Sequence, residues 1–197
     1  MRLLVQFTGA QSTGKTTLAH RLSKYYGRQG RTVGYIGEAS RRLKEAKLIE
    51  GVDIAASIRD QIMINGELLL QYYVEIGNSN ELVIAERTPI CCMAYARELI
   101  PEEQDSTEYN YMREQTLRFL RRSLELERDG SKVLTFYCPL NIPFVEDSVR
   151  NRESRKVVDK RILEVLEQFG VESITIPPGT EEERFEYVLR RVEKEFD

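Results

Sequence analysis

The chain has 197 residues, of which 41% are hydrophobic and 31% are charged, and its formal net charge is −3. This length suits one domain with a sizeable buried core and is short for two, so we expect a single domain over residues 1–197. The acidic balance argues against a dedicated duplex-binding protein. The lack of any apolar run of about 18 residues argues against a membrane span.

The cysteines and the N-terminal segment bear on the compartment. Cys91, Cys92 and Cys138 form neither an even set nor a metal-binding spacing. The first residues read as a strand and lack the sections of a secretory signal. We therefore expect reduced thiols in a cytoplasmic protein. The single histidine, His20, leaves little material for a metal cluster or a Ser-His-Asp triad.

The hydrophobic pattern predicts helices and strands that alternate along the chain. We expect five strands, at 3–7, 32–37, Leu82–Ala85, Lys132–Tyr137 and 171–176. Between and after them we expect helices at 15–29, 39–46, about 105–128 and 152–169. Start signals mark three further helices: an N-cap at Asp53 for a long helix to about 75, Thr88 and Pro89 for the helix after the third strand, and a capping box at Thr180 for the last helix to about 196. Short apolar strands of this kind are typical of parallel sheets that helices cover on both faces. The elements predict a three-layer α/β fold with a five-stranded parallel sheet, whose ligands bind at the carboxyl ends of the strands.

A phosphate-binding motif stands between the first strand and the first helix. Residues 9–16, GAQSTGKT, match the P-loop pattern G-x-x-x-x-G-K-[ST]. Its backbone N–H groups and the helix N-terminus favour phosphate oxygens, while Lys15 places a cation on the β- and γ-phosphates and Thr16 offers a ligand to Mg²⁺. The sequence predicts binding of a nucleoside triphosphate, with ATP as the default donor because the N-K-x-D motif of G proteins does not occur. The expected nucleotide-binding residues are Gly9, Gln11, Ser12, Thr13, Gly14, Lys15, Thr16 and Thr17.

Charged residues follow the second and third predicted strands. Glu38 stands after the second strand, and Glu86 and Arg87 follow the third. Carboxyl ends of parallel strands meet at one edge of a sheet, so these side chains are expected beside the P-loop. We predict that Glu86 serves the metal through a bound water, that Glu38 accepts a proton from an attacking hydroxyl and that Arg87 holds the acceptor. The alternative is that each is a surface charge at a strand end.

A basic segment follows the fourth strand. Residues 146–156, EDSVRNRESRK, carry Arg150, Arg152 and Arg155. Phosphoryl transfer needs positive charge on the equatorial oxygens, and a closing lid also excludes water. We predict an Arg-rich lid at about 140–156 with these three arginines as catalytic residues. The alternative is a solvated basic helix start.

Three further patterns are weaker indications of function. The loop at 176–184 is a candidate for contact with adenine. Tyrosines at helical spacing could line an acceptor pocket but are more often core residues; they are Tyr72, Tyr73, Tyr109 and Tyr111. Arginines on the helix at about 105–128 form either a solvated face or a nucleic-acid-facing surface; they are Arg113, Arg118, Arg121, Arg122 and Arg128.

Several segments together carry a family resemblance; they are GAQSTGKTTLA, GEASR, AERTPICCMAYA, EDSVRNRESR and PPGTEEERF. With these segments the chain resembles the small P-loop nucleoside and nucleotide kinases. More narrowly, it resembles the AAA-like ATPase/kinase family that includes the nicotinamide riboside kinase domain of bacterial NAD regulators and many phage proteins. The resemblance implies the P-loop NTPase fold with strand order 2-3-1-4-5, ATP and Mg²⁺, and γ-phosphoryl transfer to a small acceptor.

The strand-end residues also take part in this resemblance. Deoxynucleoside kinases carry a glutamate base after strand two and an E-R-S motif after strand three, which Glu38 and Glu86-Arg87-Thr88 match in placement. The narrower family and the thymidylate kinases more often have D-R there, so the departure leans toward a hydroxyl acceptor.

Three functions stay open on the sequence. The first is a kinase, cellular or phage-encoded, that acts on a nucleoside, a nucleotide or a similar small ribosyl compound. The second is a kinase that acts on a modified base or an end within DNA or RNA, such as a hydroxymethyl-pyrimidine in phage DNA. The third is an ATPase switch that controls a partner. We expect a small-molecule acceptor and no membrane partner, with nucleic acid as substrate and a homodimer as alternatives.

Overall fold

The computed structural model describes residues 2–51, 56–99, 106–142 and 152–196, without the side chains of Arg152 and Glu153. The strands in this part of the chain are β1 Leu3–Thr8, β2 Val33–Ile36, β3 Leu82–Ala85, β4 Lys132–Tyr137 and β5 Ile174–Thr175. The helices are α1 Lys15–Arg28, α2 Ala39–Glu45, α3 Ile58–Gly77, α4 Pro89–Leu99, α5 Thr107–Arg128, α6 Arg152–Gln168 and α7 Glu181–Glu193.

The strands form one parallel sheet in the order β2-β3-β1-β4-β5. The central strand β1 is buried throughout, and Leu3 lies opposite Leu82 of β3 and Lys132 of β4. This arrangement confirms the predicted fold class and strand order. It places the loop after β1 between the ends of β3 and β4.

The sheet separates two apolar clusters. Because side chains of a strand alternate between faces, Leu3, Val5 and Phe7 pack with residues of α1 and α7 on one side. Leu4 belongs to the second cluster, to which helices α3 to α6 contribute on the other side. Helices cover both faces, and the three layers predicted from the sequence are present.

Two element boundaries differ from the prediction. Helix α3 begins at Ile58, and its N-cap is Ser57, so the predicted N-cap for this helix is wrong. Asp53 itself lies outside the described residues. Ser57 caps the helix instead, because its side chain accepts from the Asp60 N–H while the Asp60 carboxylate accepts from the Ser57 N–H. Strand β5 spans two residues, so the predicted range 171–176 is too long. The Val171 N–H instead bonds to the Leu166 carbonyl as α6 ends.

The other boundaries agree closely with the sequence pattern. The capping box predicted at Thr180 is present, with Glu183 as its partner, and it opens α7. Within the described part of the chain, no helix is both long enough and apolar enough to cross a bilayer.

Candidate nucleotide-binding site

The loop between β1 and α1 has a backbone that depends on glycine. Gly9 has φ 149° and Gly14 has φ 80°, values that side chains with a Cβ rarely adopt. A Cβ on Gly9 would lie 2.5 Å from the Cys138 carbonyl oxygen at the end of β4. Close packing against the neighbouring strand therefore requires the first glycine of the motif.

Hydrogen bonds within the loop fix its curvature. The Thr13 hydroxyl donates to the Ala10 carbonyl at 2.9 Å, and Lys15 Nζ lies 3.3 Å from Thr13 Oγ1 and also contacts the Ala10 carbonyl. Helix α1 starts directly after Gly14, which has no side chain to cap it, and its first turn has no acidic residue. Its N-terminal N–H groups therefore suit an anionic ligand.

A cavity of about 250 Å³ lies in front of this loop. Its walls contain residues 11–17 together with Glu38, Arg41 and Arg87. The structure thus brings together residues from the ends of three strands, as the sequence led us to expect. Gly9 and Glu86 do not line this cavity.

Glu38 and Arg87 form an ion pair at the cavity wall. Arg87 Nη2 donates to Glu38 Oε1 at 2.9 Å, and both side chains are largely buried. Arg87 is the main cause that lowers the pKa of Glu38; burial opposes it, and hydrogen bonding to Ser40 and the charge of Arg41 assist it. The carboxylate is therefore ionised at neutral pH.

Glu86 directly follows the last residue of β3 and is buried. It is 4% exposed, and its Oε2 atom is buried without a hydrogen-bond partner among the described residues. Its backbone N–H bonds to the Ile36 carbonyl of β2, which fixes the strand end. The described residues contain no group of three or more acidic, cysteine or histidine side chains that could enclose a metal ion.

Helices α6 and α7 hold the outer side of the loop. Arg155 Nη2 donates to the Ser12 carbonyl at 3.0 Å, and Arg184 Nη2 donates to the Thr13 carbonyl at 2.9 Å. Gln11 Nε2 donates to Ser154 Oγ at 3.3 Å. These contacts tie the phosphate loop to elements that are more than 140 residues away in sequence.

Several residues near the phosphate loop are not apparent as site residues from the sequence. The Tyr95 hydroxyl on α4 donates to Gln11 Oε1 at 2.8 Å. The Tyr137 hydroxyl donates to Asp159 Oδ2 on α6 at 2.8 Å, and burial raises the pKa of Asp159 despite that bond. Arg184 belongs to the segment PPGTEEERF, but only its position in the fold shows that it contacts the loop.

The remaining candidate residues lie elsewhere. Arg150 lies outside the described residues, and Arg152 begins α6 without a described side chain. Tyr72 and Tyr109 are core residues, while Tyr73 and Tyr111 are about half exposed. On α5, Arg118 pairs with Glu114 and Arg122 with Glu125, which favours the solvated-face interpretation. All three cysteines are buried and free of disulfides.

The family model of the AAA domain matches residues 4–184 of this chain. The chain belongs to the AAA domain family. The match confirms the AAA-like family that the sequence motifs indicated, and the solved structures described next share its fold. The comparison with curated proteins gives no match.

Solved structures similar to this AAA domain include two complexes of NadR and one thymidylate kinase. NadR in complex with NAD and AMP-PNP has a TM-score of 0.71 and 21% identity, covering 98% of this chain and 49% of that chain. NadR in complex with NR has a TM-score of 0.67 and 21% identity, covering 98% and 50%. Thymidylate kinase from Ehrlichia chaffeensis has a TM-score of 0.58 and 17% identity, covering 100% and 99%. This chain spans about half the length of the NadR chains, and at these identities the likeness shows the shared fold.

Proposed function

We propose that this protein is an ATP- and Mg²⁺-dependent kinase that transfers the γ-phosphoryl group to a nucleoside, a nucleotide or a similar small ribosyl acceptor. The observation that carries the proposal is the shared cavity, in which the phosphate loop faces the Glu38–Arg87 ion pair. The fold shared with NadR and thymidylate kinase supports this reaction class. The proposal treats 1–197 as one kinase domain, since both apolar clusters pack on the same sheet.

The phosphate loop holds the donor in this proposal. Its backbone N–H groups and the N-terminus of α1 bind the phosphate oxygens of ATP. Lys15, a buried residue of the cavity wall, places its ammonium group on the β- and γ-phosphates. Both features bind the negatively charged phosphates of the donor and do not select the acceptor.

Two oxygen-bearing side chains, Thr16 in the cavity wall and Glu86 at the end of β3, fit a magnesium ion bound with the nucleotide. Mg²⁺ prefers oxygen ligands, keeps several waters, and is commonly held by one or two protein groups together with substrate phosphates. The exposed Thr16 hydroxyl is a suitable direct ligand, and the unpartnered Glu86 carboxylate oxygen is a suitable partner for a bound water. The ion, when bound, neutralises charge that develops on the phosphate oxygens.

The transfer step uses the ion pair opposite the loop. The acceptor hydroxyl oxygen forms a bond to the γ-phosphorus, the bond from that phosphorus to the β–γ bridging oxygen breaks, and ADP leaves. The hydroxyl proton passes to Glu38, whose carboxylate is ionised and held by Arg87. The lowered pKa makes Glu38 a weak base, which suits a loose transition state because the nucleophile needs little activation. Arg87, which lines the cavity beside Glu38, holds the acceptor in this proposal.

The lid arginines complete the proposed site. Arg155 already places its guanidinium at the phosphate loop, and α6 begins with Arg152. We assign Arg150, Arg152 and Arg155 to the stabilisation of charge on the transferred group. Exclusion of water by the same segment would limit hydrolysis of ATP.

The deciding experiment is ADP release from Mg·ATP against a panel of acceptors. The panel contains natural nucleosides, their monophosphates, nicotinamide riboside, and DNA with normal or hydroxymethylated bases. We expect one small acceptor to raise the rate far above the background. The Lys15→Ala variant should lose that stimulation by about a hundredfold or more, because it removes a charge that stabilises the transition state.

The controls separate the competing functions. Lys24→Ala changes an exposed lysine on the same helix and should behave as wild type. If only DNA raises the rate, and the effect weakens as salt rises, the acceptor is a nucleic acid rather than a small molecule. An equal slow rate with every acceptor would reject the kinase and leave an ATP-hydrolysing module.

A further inference from the structure

Two buried guanidinium groups hold consecutive peptide units of the phosphate loop. Arg155 on α6 donates to the Ser12 carbonyl, and Arg184 on α7 donates to the Thr13 carbonyl. The two arginine residues are 5% and 3% exposed. A Cβ placed on Gly14 would lie 3.0 Å from Arg184 Nη1, so this guanidinium lies directly against the loop backbone.

The geometry of a peptide unit links these carbonyls to the phosphate side of the loop. The Thr13 carbonyl shares its peptide plane with the Gly14 N–H, which points in the opposite direction because the peptide is trans. A cation that binds the carbonyl polarises the unit and strengthens the N–H as a donor. Arg184 thus acts on the Gly14 N–H from the far side of the same peptide.

The charge of Arg184 has no counter-charge among the residues that the structure describes. Among the described residues it has no carboxylate as an ion-pair partner, and its Nε is buried without a hydrogen bond. The acids that begin α7 are engaged elsewhere, since Glu181 and Glu182 pair with Arg21 and Glu183 closes the capping box. Arg155 differs, because the carboxylate of Asp159 lies near it.

A buried charge without a counter-charge reduces the stability of a folded protein. Such a charge is expected where a ligand supplies the missing opposite charge. The loop that Arg184 contacts is the element that suits an anionic ligand, and the N-terminus of α1 adds positive potential at the same place.

We propose that Arg184 is a positioning residue of the donor site. It holds the Thr13–Gly14 peptide in its phosphate-binding orientation and supplies a buried positive charge that the polyphosphate chain neutralises. This inference rests on the proposed function in one respect, namely that ATP binds to the P-loop. It adds a residue from the last helix, about 170 positions away from the motif, to the determinants of donor affinity.

The test compares Arg184→Met with Arg190→Met, a matched change of an exposed arginine on the same helix. Calorimetric titration measures Kd for Mg·ATP and for Mg·tripolyphosphate, and thermal unfolding gives the ligand-free Tm. We expect Arg184→Met to weaken the binding of both ligands by about tenfold or more, because the variant loses a nearby positive charge and the polarisation of the Gly14 N–H donor. The ligand-free Tm should stay unchanged or rise, and Arg190→Met should match wild type.

Arg184→Lys keeps the charge and loses the fork of donors, so its affinity should lie between those of wild type and Arg184→Met. A fall in ligand-free Tm, or failure of Arg184→Met to fold, would show a structural role and overturn the proposal. So would unchanged tripolyphosphate affinity. If wild type binds neither ligand, the proposed function fails as well, which distinguishes that result from failure at Arg184 alone.

Discussion

Glu38 is the proposed proton acceptor, so the charge state of its carboxylate controls the proposed transfer. Arg87 is the largest cause that lowers its pKa, so the carboxylate stays ionised until the pH falls below the ordinary glutamate range. The acid limb of the kcat profile of wild type should therefore lie at low pH. Arg87→Gln should move that limb to higher pH, whatever it does to the maximal rate. Steady-state rates across pH measure the shift.

Arg41 provides a control on the same carboxylate. It contacts Glu38 at 3.4 Å but its side chain is 66% exposed, so solvent screens its charge. Arg41→Gln should move the acid limb of the kcat profile less than Arg87→Gln does.

Glu38→Gln should keep ATP affinity and lose transfer to a hydroxyl. Turnover of Glu38→Gln at the wild-type rate would show that Glu38 only supports the structure. The ion pair also adds stability at neutral pH, which disappears as pH falls through the lowered pKa.

Single residues divide into those that the sequence reveals and those that it hides. The motif from Gly9 to Thr16 is contiguous, so its spacing alone predicts a phosphate loop. Arg184 and Tyr95 contact that loop from distant helices, and no local pattern marks them among the many other arginines and tyrosines. Their roles depend on how the layers stack, which the spacing of residues does not encode.

At the scale of elements, the capping box of α3 fixes where the longest helix before β3 begins. Ser57 and Asp60 satisfy each other's backbone N–H groups. Ser57→Ala should lower the free energy of unfolding by about 1 kcal/mol, because one cap hydrogen bond is lost. Urea denaturation measures the change. Ser79→Ala, in the exposed turn after α3, is the control and should stay within about 0.5 kcal/mol of wild type. Equal effects of the two changes would show that Ser57 does not stabilise the helix start.

The same cap explains why one helix start is wrongly predicted. Asp53 and Ser57 are both good N-cap residues, and apolar residues continue on either side of them. Ser57 has the reciprocal partner Asp60 three positions later, and that second bond accompanies the observed start. Strand β5 is overestimated for a related reason, since Val171 is apolar but its N–H is used by the end of α6.

At the scale of the whole molecule, strand order follows from few choices. Apolar strands alternating with helices give a parallel sheet, and the P-loop motif together with the family resemblance implies the order that the structure shows. This order brings three strand ends together at one cavity, and α6 and α7 contact the other side of the phosphate loop. The cavity thus connects elements from both apolar clusters, so a ligand there should stabilise the entire fold.

This connection predicts how the protein responds to Mg·ATP. At a nucleotide concentration about 100 times Kd, the free energy of unfolding should rise by about 2.7 kcal/mol, which raises Tm by roughly 5 °C or more in a chain of this size. Addition of EDTA should remove most of that rise, because in the proposed site Thr16 and Glu86 act on the nucleotide through the cation. Thermal unfolding of wild type with ATP, with and without EDTA, measures both effects. Lys15→Ala is the control, in which the rise should be small under either condition. A full rise in EDTA would show that the cation does not contribute to binding, and Glu86 would then have no metal to serve.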